Sequence, residues 1–310
     1  MGKATREAYG NALARIGKSN TNIIVLDADL SKSTKTDTFK KECPDRFFNV
    51  GIAEQNLISV GAGLAAAGKI PFVSSFAMFA TGRAFEQIRN AVCYPKLNVK
   101  VCATHAGITV GEDGATHQSL EDIACMRVLP NMTVVVPADE KETNAVIEWA
   151  AAYEGPVYVR LGRAGVDDVS PEEYTFTPGK STQLIDGSDV TIIACGALGG
   201  PAVEASKALQ NNGISARVIN MASIKPIDVD AIVKAASETG AIVTAEEHNI
   251  LGGLGSAVAE VIVAHKPVPV EFVGVQDTFG ESGTPTELMT KYGLTTDDIV
   301  NAVNRVVARK

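Results

Sequence analysis

No stretch of this chain is apolar for the eighteen residues or so that a membrane-spanning helix needs. The opening Met1-Gly2-Lys3-Ala4-Thr5-Arg6 is polar and lacks the apolar core of a secretory signal. Positive charge is not in excess. With 28 Lys and Arg against 36 Asp and Glu, the formal charge of −8 sets aside a general nucleic-acid or membrane-surface partner. It leaves room for a local basic pocket that takes one phosphate. The five cysteines (Cys43, Cys93, Cys102, Cys125, Cys195) form no C-x-x-C pair and have no histidines at zinc-finger spacing. They read as reduced, mostly buried thiols of a cytoplasmic protein, with a catalytic cysteine as the alternative. Repeats and low-complexity tracts are missing. So is any motif able to hold a diphosphate and its metal, which makes the residues that are present read as half of an active site.

What is present is a chain of 310 residues, long enough for a substantial core and about two domains. Short apolar runs alternate with helical patterns, the signature of α/β units around a largely parallel sheet. Strands are predicted at Ile23–Leu26, Pro71–Ser74, Val99–Ala103, Thr133–Val136 and Val157–Leu161. Helices are predicted at Arg6–Ile16, Glu54–Ala67, Ala80–Cys93 and Glu140–Ala152. Gly68 stands where a helix stop belongs, and Asp139 with Glu142 has capping-box spacing. A polar, turn-rich passage with Asp167-Asp168, Pro171-Glu172-Glu173 and Pro178-Gly179 then breaks the rhythm. The expected division is a first α/β domain over 1–165, a linker over 166–188 and a second α/β domain over 189–310. The second series places strands near Val190–Ala194, Ala216–Asn220, Ala241–Ala245 and Val270–Val275. Its helices lie near Gly200–Gln210, Val229–Ala236, Ser256–Ala264 and Thr295–Ala308.

Two segments carry the chemistry. Gly51-Ile52-Ala53-Glu54-Gln55-Asn56 puts a lone carboxylate at the start of a helix rich in small residues, where another chain can approach closely. Glu54 is either a favourable partner of the helix dipole or a buried carboxyl that shares a proton with a heterocycle nitrogen. Phe76 and Phe79 follow a predicted strand and fit either a core or an aromatic-ring pocket. His105-Ala106-Gly107 follows another strand directly, where α/β proteins place ligand residues. The loop Gly111-Glu112-Asp113-Gly114-Ala115-Thr116-His117-Gln118 then combines flexible glycines with Asp113 and His117, which suit sugar hydroxyls or proton transfer. A solvated loop with helix caps is the competing reading. Arg6, Ser33 and Arg163, from distant segments, suit a phosphate if they converge. Glu246-Glu247-His248 and Gly252-Gly253-Leu254-Gly255 lack the G-x-G-x-x-G order and a Walker lysine, so they read as structural or interface features.

On Gly51–Gln55, on His105 and on Gly111–Gln118, the chain resembles the transketolase family of thiamine-diphosphate enzymes, and it does so over nearly its whole length. Phe279-Gly280-Glu281-Ser282-Gly283 and Lys291-Tyr292-Gly293 are similar to that family's C-terminal domain. The resemblance implies two doubly wound domains: a pyrimidine-binding domain with a parallel sheet and a transketolase C-terminal domain with a mixed sheet. The family's large N-terminal domain, with its G-D-G…N motif, has no counterpart, so the C-terminal subunit of a split transketolase is the nearest description. By resemblance, Glu54 bonds the aminopyrimidine ring, Phe79 stacks on it, Phe76 closes its pocket and Asp29 lies near the cofactor. Asp113 and His117 contact substrate hydroxyls, while Arg6, Ser33, His105 and Arg163 hold a sugar phosphate. A two-carbon ketol unit passes from a ketose phosphate to an aldose phosphate. The resemblance further implies thiamine diphosphate, Mg2+ or Ca2+ held mainly by an N-terminal partner subunit, and an α2β2 assembly. One departure stands out: a third pocket aromatic of the family falls near Thr81-Gly82-Arg83, where no ring is available.

Two relatives share the glutamate motif. The β-subunit of a 2-oxoacid dehydrogenase lacks this type of loop. Deoxyxylulose-phosphate synthase normally carries Asp-Arg where this chain has Thr104-His105, and is usually one long chain. A non-catalytic subunit that only completes a dimer is the alternative of a different class; Glu54, Asp113 and His117 together argue against it.

Overall fold

The computed structural model describes residues 2–310. Among the described residues the strands form two sheets. The first is built from β1 (Ile23–Asp27), β2 (Phe47–Asn49), β3 (Ile70–Ser74), β4 (Lys100–Ala103), β5 (Thr133–Val135) and β6 (Val157–Arg160). The second contains β7 (Thr182–Ile185), β8 (Val190–Ala194), β9 (Ala216–Asn220), β11 (Ile242–Asn249) and β12 (Val270–Val275). A three-residue strand, β10 (Ser223–Lys225), comes from the second half of the chain but joins the first sheet.

The orders are β10-β5-β6-β4-β3-β1-β2 and β12-β11-β8-β9-β7. Every pairing among β1–β6 is parallel, and only β10 runs antiparallel, against β5. In the second sheet only β7 is antiparallel, against β9. Strands covered on both faces need continuous apolar runs rather than alternation, and β1, β4, β6 and β8 are buried at every position. The result is two α/β domains with mixed sheets.

The helix Glu54–Ala66 shows how the sequence seats an element. Glu54, Leu57, Ile58, Gly61 and Ala62 are its buried positions, the recurrence of a single helix face. Gly61 lets that face settle on β3, since a Cβ there would meet Val73 Cγ1 at 2.7 Å. Burying Leu57 and Ile58 contributes about 1.5–3 kcal/mol each. Gly68, at φ +82°, ends the helix as its position in the sequence predicts.

Two expectations are corrected. Residues 166–188 are more than a linker, because β7 lies inside them and extends the second sheet. The helix expected at Ala80–Cys93 is two wide, π-type stretches, Met78–Arg83 and Ile88–Cys93, around a short α segment. The pair Asp139–Glu142 forms half of a capping box. Asp139 accepts from Glu142 N at 2.9 Å, but the Glu142 carboxylate accepts instead from Ala138 N, the Tyr174 hydroxyl and Asn220.

The two sheets share a core. One apolar cluster joins Leu26, Val73 and Val101 to Ile193, Ile219 and Ile242. At the same junction Arg160 is fully engaged. It donates from Nε to Asp122 at 2.8 Å and from Nη2 to Asp122, to Ser119 O and to Glu247 O on β11. Burial alone would raise the Asp122 carboxyl, but Arg160 holds it below its ordinary range.

Candidate functional site

The polar residues singled out in the sequence gather where α/β sheets place ligands, beyond the carboxyl ends of the strands. Asp29 follows β1, Asn49 ends β2, Phe76 follows β3, His105 follows β4 and Arg163 follows β6. Asp29 and His105 hold positive φ, +63° and +56°. Such backbone costs of order 1–3 kcal/mol at a non-glycine residue, so surrounding bonds must enforce it.

Glu54 is buried at 4% exposure, as the first residue of its helix. Its entry turn is set by Gly51 at φ +75°, with Ala53 N donating to Gly51 O at 2.8 Å. Arg83 Nη1 lies 3.3 and 3.4 Å from the two Glu54 oxygens, and its guanidinium sits 4.2 Å from the centre of the Phe79 ring. The side chain at the position lacking a third aromatic is therefore a cation that bridges acid and ring. Sequence reasoning assigned Arg83 no role; the signal available was the missing ring itself.

Phe76, Phe79, His105 and His117 form one aromatic group. Phe76 stacks on His105 with centroids 3.8 Å apart and on Phe79 at 5.8 Å. His117 meets Phe79 edge-on at 5.1 Å and Phe76 at 6.1 Å. His105 is buried, and Arg6 Nη1 donates to its Nε2 across 3.3 Å. The ring proton then belongs on Nδ1, which donates to Thr104 Oγ1 at 2.9 Å. Desolvation, reinforced by the Arg6 and Arg163 charges, pushes its pKa down to about 3. The imidazole stays neutral at any physiological pH.

Arg6 also donates to Ser33 O at 3.0 Å, so Ser33 contributes its backbone rather than its hydroxyl. Burial and the nearby Arg163 charge lower the Arg6 pKa, and its Nε is buried without a partner. Two guanidinium groups repelling each other, one with an orphaned donor, form a place that an anion would relieve. Arg163 is tethered by Glu112 at 2.9 Å and by Val110 O.

Asp29 and Asn49 are bonded to each other. Asn49 Nδ2 donates to Asp29 Oδ1 at 2.7 Å, and Asn49 Oδ1 accepts from both Asp29 N and Gly51 N. One amide thus links the loop after β1 to the turn that leads into Glu54. Asp113 is the exception. It is exposed on the rim of its loop, and no contact joins it to the other residues.

The loop is braced by the second domain. Gln118 Nε2 donates to Ile108 O, Gly111 O and Glu281 O. Glu247 accepts from Thr109 N at 2.6 Å, and it occupies the space where a Cβ on Gly107 would lie, 2.3 Å away. Glu246 accepts from Leu254 N and Gly255 N at a helix start, while His248 Nε2 accepts from Ala124 N. The acidic and glycine clusters of the second domain are structural, as their sequence suggests. Among the described residues no group of three or more His, Cys, Asp or Glu is placed to hold a metal.

Fold and site together describe a two-domain α/β protein whose buried carboxylate, aromatic group and arginine pair share one sheet edge. Comparison with known proteins gives the class a narrower content. Residues 1–167 match the transketolase pyrimidine-binding domain and residues 179–299 the transketolase C-terminal domain. A protein of Methanocaldococcus jannaschii described as a transketolase C-terminal section is 52% identical over 304 residues, covering 97% of this chain and 95% of that one. A 6-deoxy-6-sulfo-D-fructose transketolase subunit of a Clostridium species is 43% identical over 98% of this chain and 95% of its own length. A solved structure described as a split gene transketolase, in an inactive β4 tetramer, superposes with a TM-score of 0.93 at 59% identity, covering 99% of each chain. This chain belongs to the transketolase family, as a C-terminal subunit of the split kind. The family depends on thiamine diphosphate, and the C-terminal kind implies an N-terminal partner. No helix among the described residues is long and apolar enough to cross a membrane.

Proposed function

We propose that this chain, joined to a partner carrying the diphosphate-binding domain, transfers a two-carbon ketol unit from a ketose phosphate to an aldose phosphate. The observation that carries this reading is the buried Glu54, linked through Arg83 to Phe79 of the Phe76–Phe79 pair, at the same end of the sheet as Arg6 with its orphaned donor. A buried carboxyl next to a flat aromatic face suits the aminopyrimidine ring of thiamine diphosphate. Among the described residues no comparable group suits the diphosphate, and that end, with Mg2+ or Ca2+, is assigned to the partner. The assembly proposed is α2β2, working in the cytoplasm. Residues 1–165 would form the pyrimidine-binding domain, and 189–310 together with β7 the C-terminal domain.

When bound, thiamine diphosphate supplies a carbon nucleophile and an electron sink. This chain's residues do the rest on their side. Glu54 holds a proton against a ring nitrogen, and its burial keeps water from competing for it. Phe79 presents the stacking face, Phe76 backs it, and Asp29 steadies the cofactor side through Asn49. Arg6 and Arg163 clamp the sugar phosphate, with His105 as a neutral bonding partner and Ser33 O fixing the Arg6 fork. His117 moves a proton at a substrate oxygen, and Asp113 comes to a sugar hydroxyl from the loop rim.

The test is reconstitution. The chain is mixed with an N-terminal transketolase subunit, and ketol transfer between pentose phosphates is measured with wild type and with Glu54→Gln. Wild type should be active only with the partner. Glu54→Gln should lose about 10²–10⁴-fold in turnover, with the assembly unchanged by sedimentation. Full activity of the solitary chain, or an unaffected Glu54→Gln rate, sinks the proposal.

A further inference from the structure

The space beside Glu54 is already taken. Arg83 is 54% exposed, yet its guanidinium reaches a carboxylate that is only 4% exposed and lies flat enough over Phe79 to sit 4.2 Å from the ring centre. Phe79 and Arg83 are four apart in the wide turn Met78–Arg83, and residues four apart on a helical turn are neighbours on one face. Among the described residues Glu54 is the acid that Arg83 pairs with.

A guanidinium is a planar, delocalised N–C–N unit that donates hydrogen bonds along its edge and stacks through its face. An aminopyrimidine also presents a flat stacking face and an N–C–N edge, though its ring nitrogen accepts where a guanidinium donates. We infer that Arg83 is a self-occupying plug: its side chain holds the ring seat in the free subunit and must swing out before the cofactor's pyrimidine can use Glu54 and Phe79. The inference rests on the reading of Glu54 and Phe79 given above, and adds a regulating residue to that site. Its chemical consequence is a brake. While Arg83 is in place, both Glu54 oxygens are taken by its guanidinium, and neither is free to meet a ring nitrogen. The exposure of Arg83 leaves the displaced side chain somewhere to go, so removal costs an ion pair open to solvent on the arginine's side and one cation–π contact.

The reconstituted complex is titrated with thiamine diphosphate by calorimetry, with wild type, Arg83→Met and Arg83→Lys. Met keeps the aliphatic stem without the charge. Lys keeps the charge without the planar edge. Giving up a half-exposed ion pair and a cation–π contact should be worth about tenfold in affinity or more, so Arg83→Met should bind the cofactor at least about tenfold more tightly, with Arg83→Lys between. Equal affinity in all three, or weaker binding by Arg83→Met, overturns the inference, because Arg83 would then be a bystander or a wall that helps hold the ring. Glu54→Gln is run in parallel. If it leaves both affinity and transfer unchanged, the reading of the site itself fails, an outcome separable from a failure at Arg83 alone.

Discussion

A single imidazole shows how charge is managed at this sheet edge. His105 is packed on Phe76, bonded to Thr104 and approached by Arg6, so a proton on it would be buried and would face the Arg6 and Arg163 charges. In the unfolded chain it titrates near 6.5; in the folded chain its pKa is about 3. Between those values the unfolded state binds a proton that the folded state refuses. Stability from this group is therefore complete above pH 6.5 and is lost as the pH falls toward 3. Urea unfolding of wild type and His105→Gln at pH 7 and pH 5 reads the effect. Wild type should lose on the order of 1–2 kcal/mol more than the variant across that interval. Equal losses would mean that the folded chain accepts the proton.

At the scale of the element, the loop from Gly107 to Gln118 is shaped by what leans on it. Gly107 holds φ +86° directly against the Glu247 carboxyl, and Gly114 holds φ +75° with Ser282 Oγ 2.7 Å from where a Cβ would be. Either position tolerates only glycine. Gly107→Ala should destabilise the chain by about 2–4 kcal/mol through backbone strain and overpacking, seen as a lowered unfolding midpoint. It should also loosen the loop, raising hydrogen exchange at Thr109 N, the donor to Glu247. Protection unchanged at Thr109 would show that the carboxylate follows the displaced loop.

Elements also mark how far the sequence could be read. Strands such as Ile23–Asp27 and Val190–Ala194 were legible because buried parallel strands are written as uninterrupted apolar runs. β7 was not: Thr182–Ile185 is short and only partly buried, so nothing in its composition separates it from a linker. β10 is three residues long and owes its existence to β5, a partner strand from the first half of the chain. The π-type turns at Met78–Arg83 escaped because a helical pattern does not record whether bonds close at i+4 or i+5. Arg83 escaped for another reason: its i,i+4 spacing from Phe79 is common on any helix, and its pairing with Glu54 depends on how the two helices pack. The convergence of Arg6, His105 and Arg163 follows from strand order, whereas the detachment of Asp113 could be learned only from the loop's path.

For the whole molecule the joint between sheets matters most. Arg160 bonds to Asp122, Ser119 and Glu247, and so ties the end of β6 to β11. Removing it leaves Asp122 buried and uncompensated, a loss of about 3–5 kcal/mol. Arg160→Met should lower the thermal midpoint and broaden the calorimetric transition, as the halves cease to melt together. A single sharp transition at the wild-type midpoint would place the coupling elsewhere, in the shared apolar cluster.

β10 gives this joint a further consequence. The outer border of the first sheet is hemmed by thread drawn from the second, Ser223–Lys225 sewn onto Val134–Val135. A chimaera that spliced the front of this chain to the rear of a cousin anywhere in the passage after residue 167 would inherit a foreign hem, and a mismatched one would leave β5 bare and ready to adhere to other molecules. Shuffling these two modules therefore means transplanting the tripeptide along with the front piece.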